Sequence, residues 1–178
     1  MLTDIQKGIL LRIARDSVVT HVTGEQQLQG DPGSLPDASG VFVTIKRRGE
    51  LRGCLGTLQC RQDLASEVAR CARDSATDDP RFPAVSAPEI PELSLEISVL
   101  GPLEAVDASL DDAIVLGRHG VVVEQGHRRG LLLPQVATEW GWTKEQFLRQ
   151  TCRKAGLPED AWQTGARVFR FDAEVFGE

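Results

Sequence analysis

Leu51-Arg52-Gly53-Cys54-Leu55-Gly56-Thr57-Leu58 sets a cysteine, two glycines and an arginine inside what otherwise reads as a buried strand. Just before it, Val41-Phe42-Val43-Thr44-Ile45-Lys46 is a β-branched run with the alternation of a half-buried strand. The intervening Arg47-Arg48-Gly49 fits a three-residue hairpin loop with glycine at the left-handed position. That loop sets Lys46 opposite Glu50, Ile45 opposite Leu51, Val43 opposite Gly53 and Val41 opposite Leu55, so one face is apolar on both strands. A two-residue Arg48-Gly49 loop would shift the register by one and bring Arg52 against Ile45. The first register is expected.

On the other face, the same register places Phe42 across from Cys54 and Thr44 across from Arg52. Arg52 and Cys54 then project the same way, about 7 Å apart by strand rise. A guanidinium at that range favours thiolate over thiol. Gly53 and Gly56 remove side chains beside the sulfur, as happens where a ligand or another backbone approaches closely. Cys54 is thus a candidate nucleophile, with Arg52, Gly53 and Gly56 as candidate ligand-binding positions. The alternative is a small core cysteine with glycines that mark a bulge.

Outward from the hairpin, Thr3 and Gln6 form a capping box, and Ile5, Ile9, Leu10 and Ile13 give an apolar face to a helix ending near Val19. Gly24 to Gly40, rich in Gly, Pro, Asp and Gln, reads as a loop long enough to be a flap. Asp63 caps a second helix carrying Leu64, Val68, Cys71 and Ala72 on one face. Pro80 and Pro83 fix a turn that aims Arg81 and Phe82. Arg81 either pairs locally with Asp78 or Asp79 or stands beside Cys54 as an anion-binding group. Leu93–Leu100 alternates, with Glu96 on its polar side. Glu96 is a candidate acid/base or ligand residue, against the plainer reading of a solvated or arginine-paired carboxylate.

A second hairpin is expected from Val121–Glu124 and Leu131–Leu133, joined across Gly126-His127-Arg128-Arg129-Gly130. His119, between Arg118 and Gly120, is either a turn residue or a catalytic candidate if it faces Cys54. Thr143 and Gln146 form another capping box before Phe147, Leu148, Cys152 and Ala155, and Gly156 suits the helix end. Trp140, Trp142 and Trp162 read as packing anchors, and Val168–Phe176 as a closing strand. Strands mixed with helices and linked by hairpins make the fold class α+β, mostly antiparallel sheet flanked by helices.

The 178 residues suffice for one compact unit with a sizeable core. A net charge of -6 argues against a nucleic-acid or anionic-membrane surface, either of which needs a basic stripe. No stretch approaches the roughly 20 apolar residues of a membrane span, and no signal peptide is evident. The four cysteines, Cys54, Cys60, Cys71 and Cys152, are irregularly spaced, with no Cys-x-x-Cys and no paired histidines. Reduced thiols in a cytoplasmic protein are expected, with no metal site and no cofactor implied.

The Leu-Arg-Gly-Cys-Leu-Gly run resembles the hallmark hexapeptide of the AMMECR domain family, which includes the A component of the AmmeMemoRadiSam system. The likeness continues through Gly40–Lys46, Asp79-Pro80-Arg81-Phe82-Pro83, Leu95–Leu100, Gly117–Val122, Leu133-Pro134-Gln135-Val136 and Lys154-Ala155-Gly156, in the family's order. Ala84 stands where a second proline is common, and Leu55 where isoleucine is usual. The resemblance implies one AMMECR-type domain over residues 1–178, made of two closely packed α+β subdomains. The first would be completed by both chain ends, and a pocket would lie in the cleft between them. It also implies a Memo-type protein and a radical SAM protein as partners.

Two functions follow. The first is an enzyme, or enzyme-like accessory component, whose Cys54 thiol attacks a carbonyl or other electrophilic carbon. The second is a non-catalytic adaptor whose hairpin binds a partner protein or small metabolite. Ser-His-Asp, phosphate-loop and dinucleotide patterns are missing, so the reaction class stays open.

Overall fold

Arg48 and Gly49 both take positive φ, 52° and 87°, which makes the loop between the first two strands a two-residue turn of the kind that suits hairpin twist. Strands β1 (Gly40–Arg47) and β2 (Glu50–Thr57) therefore start with Arg47 opposite Glu50 and Lys46 opposite Leu51. The register shifts at the next step, where Ile45 faces Gly53 and Arg52 is left as the extra residue of a bulge. This corrects the three-residue loop expected from sequence. The objection to a short turn was that it set Arg52 against Ile45, and the bulge removes it by taking Arg52 out of the ladder. Beyond the bulge, Thr44 faces Cys54, Val43 faces Leu55 and Phe42 faces Gly56.

The computed structural model describes residues 1–27 and 32–178, and the chain divides into two compact units. The expected loop over 24–40 falls partly on residues 28–31, outside the described residues. The first unit comprises Met1–Leu100 with Glu174–Glu178. In it β1 lies between β2 and β3 (Leu93–Leu100), antiparallel to both. Helices α1 (Asp4–Thr23) and α2 (Leu64–Thr77) bury Leu10, Ala14 and Val18 and Leu64, Val68, Cys71 and Ala72 against Val41, Val43, Ile45, Leu95 and Ile97. The Thr3/Gln6 capping box and the Asp63 cap form as expected. Ile5, however, is exposed, and α1 runs on to Gly24, whose positive φ ends it. Both chain ends meet here, since Glu174 accepts from the Leu2 N–H and pairs with Lys7.

The second unit, Gly101–Ala173, is built on β5 (His119–Gln125), with β6 (Arg128–Leu132) on one side and β7 (Arg167–Gly177) on the other. The short β4 (Glu104–Ala105) also pairs with β7. Only Gly126 and His127 form the hairpin turn, so Arg128-Arg129-Gly130, expected in the loop, extends the strand. Gly130 is needed there, because a Cβ would come within 2.5 Å of the Ala155 backbone nitrogen. Helix α4 (Lys144–Lys154) carries the expected Thr143/Gln146 box and buries Phe147, Leu148 and Cys152. Helices α3 (Pro134–Glu139) and α5 (Ala161–Thr164) complete the unit. Trp142 and Trp162 pack on its core, whereas Trp140, expected as an anchor, is 69% exposed and stacks on Trp142. Among the described residues no helix is long and apolar enough to cross a membrane.

Candidate functional site

A Cβ on Gly53 would lie 2.0 Å from the Ser75 carbonyl of α2, so the side chain of Cys54, next in the strand, projects from the opposite face. There the Thr44 hydroxyl donates to Cys54 Sγ at 3.3 Å. Thr44 is buried and in register with Glu96 on β3, so Cys54, Thr44 and Glu96 form one row across three strands. Glu96 is held by Lys46 Nζ at 3.2 Å. The next row is Gly56, Phe42 and Ser98. The Phe42 ring lies over Gly56, where a Cβ would come within 2.4 Å of it. The Ser98 hydroxyl is buried with no hydrogen-bond partner among the described residues.

The backbone of Cys54 is clamped by the Asp79-Pro80-Arg81-Phe82 turn, which covers β2, the edge strand. Asp79 Oδ2 accepts from the Cys54 N–H at 2.9 Å. The same carboxylate accepts from the Arg81 N–H, Nε and Nη2 at 3.0, 3.0 and 2.7 Å. Arg81 Nη2 also reaches the Cys54 carbonyl oxygen at 3.4 Å, and its guanidinium lies 5.5 Å from the centroid of the Phe82 ring. Asp79 is 4% exposed, and the Arg81 hydrogen bonds, outweighing burial, hold its carboxyl well below the usual range. Arg81 makes the local pair with Asp79, and its Nη2 also lies next to the Cys54 carbonyl.

Arg52 is placed otherwise than expected. Its Nε and Nη2 grip both oxygens of Glu89 at 2.9 and 3.1 Å, and Nη1 donates to the Pro83 carbonyl at 2.8 Å. Glu89 is the third residue of the 3-10 helix Ala87–Glu92, and the Arg52 hydrogen bonds lower its carboxyl to about 2. The bulge breaks the alternation that was to align Arg52 with the sulfur, and Thr44 rather than Phe42 faces Cys54. Gly53 and Gly56, read as ligand-binding positions, each have a packing reason: α2 presses on the first and Phe42 on the second.

His119 opens β5 in the second unit, as a strand residue and not a turn residue. Its Nδ1 accepts from the Val115 N–H at 3.0 Å, and Nε2 lies 3.8 Å from Asp172 Oδ1. Burial, helped by Arg170, pushes the imidazole pKa down. Neutral His119 therefore uses its one lone pair on the backbone and has none left for a general base. A depressed histidine pKa contributes stability that is present above the unfolded value of ~6.5 and is lost as pH falls toward the folded value. Urea unfolding at pH 7.5 and 5.5 should show a smaller loss in His119→Gln than in wild type. Equal losses would mean that the ring titrates as in the unfolded chain.

Among the other cysteines, burial raises the Cys71 thiol to about 11 and also raises Cys152 and the half-buried Cys60. The residues missed from sequence are Thr44 as the sulfur's partner and Asp79 as the clamp. Asp79 lies 25 positions from Cys54, and no local pattern marks such a contact.

The AMMECR1 family model matches residues 11–176. A protein of Methanothermobacter thermautotrophicus is 44% identical over 178 residues, covering 95% of this chain and 92% of that one. One from Thermococcus kodakarensis is 42% identical over 181 residues, 95% of this chain and 88% of its own. The crystal structure of an uncharacterised protein of Pyrococcus horikoshii, PH0010, matches with a TM-score of 0.89 and 39% identity, covering 99% of this chain and 93% of that one.

Proposed function

Since the chain belongs to the AMMECR1 family, we propose that it acts as an enzyme-like accessory component through the Cys54 face of its first hairpin, in the cytoplasm, beside a Memo-type protein and a radical SAM protein. One observation carries the chemical part: Cys54 is anchored by its backbone to Asp79, with the Arg81 cation beside it and a hydroxyl donated to its sulfur. A hydrogen bond and a cation both favour the thiolate, the reactive form of cysteine. The thiolate adds to an electrophilic carbon, whose displaced electron pair moves onto a carbonyl oxygen or leaves with a departing group.

Mild alkylation of the native protein with iodoacetamide, followed by peptide mapping, tests the reading. Cys54 should label first, Cys60 more slowly, and Cys71 and Cys152 only on unfolding. Labelling of Cys60 first, with Cys54 protected until the chain unfolds, would leave Cys54 as a packing residue. The adaptor reading, in which the glycine-rich hairpin binds a partner protein or small metabolite, then stands.

A further inference from the structure

We infer that the electrophile taken by Cys54 carries an anionic group, a carboxylate or its equivalent, and that the Arg81 guanidinium holds that group; the inference rests on the thiol reading above. The cations around Cys54 are not alike. Arg52 is 12% exposed, with both faces of its fork on Glu89 and backbone carbonyls. Lys46 is paired with Glu96. Arg81 alone among these three is both fixed and open, its side chain being 55% exposed.

Its fixation comes from one edge. Nε and Nη2 are engaged by Asp79, and Phe82 lies alongside the guanidinium. The countercharge is turned inward: Asp79 is covered, and its oxygens accept from Cys54 and three times from Arg81. A ligand arriving from solvent therefore meets the cation first. With Nε and Nη2 taken by Asp79, a carboxylate meets the remaining edge of the guanidinium, and a cation already held in place loses little freedom on binding it. The Nη2 contact with the Cys54 carbonyl ties this cation to the reacting residue, so an anion on Arg81 brings its neighbouring carbon toward the sulfur.

Haloacetates reproduce the step. The Cys54 thiol gives its proton to solvent, the thiolate forms a C–S bond to the methylene carbon, and iodide leaves with the electron pair of the C–I bond. Iodoacetate carries the anion next to that carbon, and iodoacetamide is its neutral counterpart. The measured quantity is the ratio of their rates at Cys54, with Cys60 as the reference within each sample. Arg81→Gln should lower the Cys54 ratio about fivefold and leave the Cys60 ratio unchanged, the size expected of one partly exposed ion pair. In wild type about 1 M salt should lower it similarly, since the Debye length then falls to roughly 3 Å. Arg81→Lys should keep part of the preference.

Rapid labelling of Cys54 by both reagents, with a ratio indifferent to Arg81→Gln and to salt, overturns the anionic substrate and leaves the thiol reading standing. Protection of Cys54 from both reagents in the native protein removes both readings together. If Arg81→Gln fails to fold because it strands Asp79, the salt series on wild type decides, and a flat series overturns the inference.

Discussion

Gly53→Ala is expected to destabilise the protein by about 3 kcal/mol or more, the scale of severe overpacking in a close-packed interior. The new Cβ would lie 2.0 Å from the Ser75 carbonyl oxygen and 3.1 Å from its carbon. Both are backbone atoms, so no side-chain rotation relieves the clash, and α2 has to retreat from β2. Retreat also stretches the Ser75 hydroxyl's bond to the Val43 carbonyl, 2.8 Å, and the Leu55 N–H bond to that hydroxyl, 2.7 Å. Gly8→Ala is the control. Gly8 lies within α1 with nothing near its missing Cβ, so alanine there should stabilise by about 0.5–1 kcal/mol. Urea unfolding of the two variants should move the midpoint in opposite directions. A Gly53→Ala midpoint level with wild type would mean that α2 and β2 are not in backbone contact at Gly53.

The same contrast between local and distant causes decides how much of this molecule is legible in its sequence. The Thr3/Gln6 and Thr143/Gln146 capping boxes form as read, because both partners of each bond lie within one helical turn. Strand Leu93–Leu100 and the buried stripe of Leu64, Val68, Cys71 and Ala72 also follow from periodicity alone. The hairpin register does not, because its bulge holds Arg52 toward Glu89, a partner 37 residues away. Cys54 and Arg81 stand out in the sequence by residue type and by neighbouring glycine and proline. Their link runs through Asp79 and an edge strand, which pairing rules cannot supply. Thr44 becomes the sulfur's partner only once the register is known. Trp140 and Ile5 fail for a simpler reason: apolar type does not say which side of a helix or turn meets the core.

Arg52→Ala should cost about 3 kcal/mol, well beyond an ordinary surface pair. Arg52 and Glu89 are each 12% exposed, and two parallel hydrogen bonds join them. Removing the guanidinium strands a nearly buried carboxylate, left with the Ser86 N–H and hydroxyl and with Arg47 at 3.2 Å. Those remaining partners keep the loss toward the lower end of the range for broken buried pairs. Replacing both partners, Arg52→Met with Glu89→Leu, should recover most of the stability, since no charge is then left unpaired. Acid provides an independent check. Glu89 sits at about 2 in the folded protein against ~4.3 unfolded, so its contribution is complete above ~4.3 and drains as pH falls toward 2. Wild type should therefore lose more stability than Arg52→Ala between pH 5 and 2.5. Parallel losses, or a cost for Arg52→Ala no larger than about 0.5 kcal/mol, would show that the pair is solvated and that the bulge stands without it.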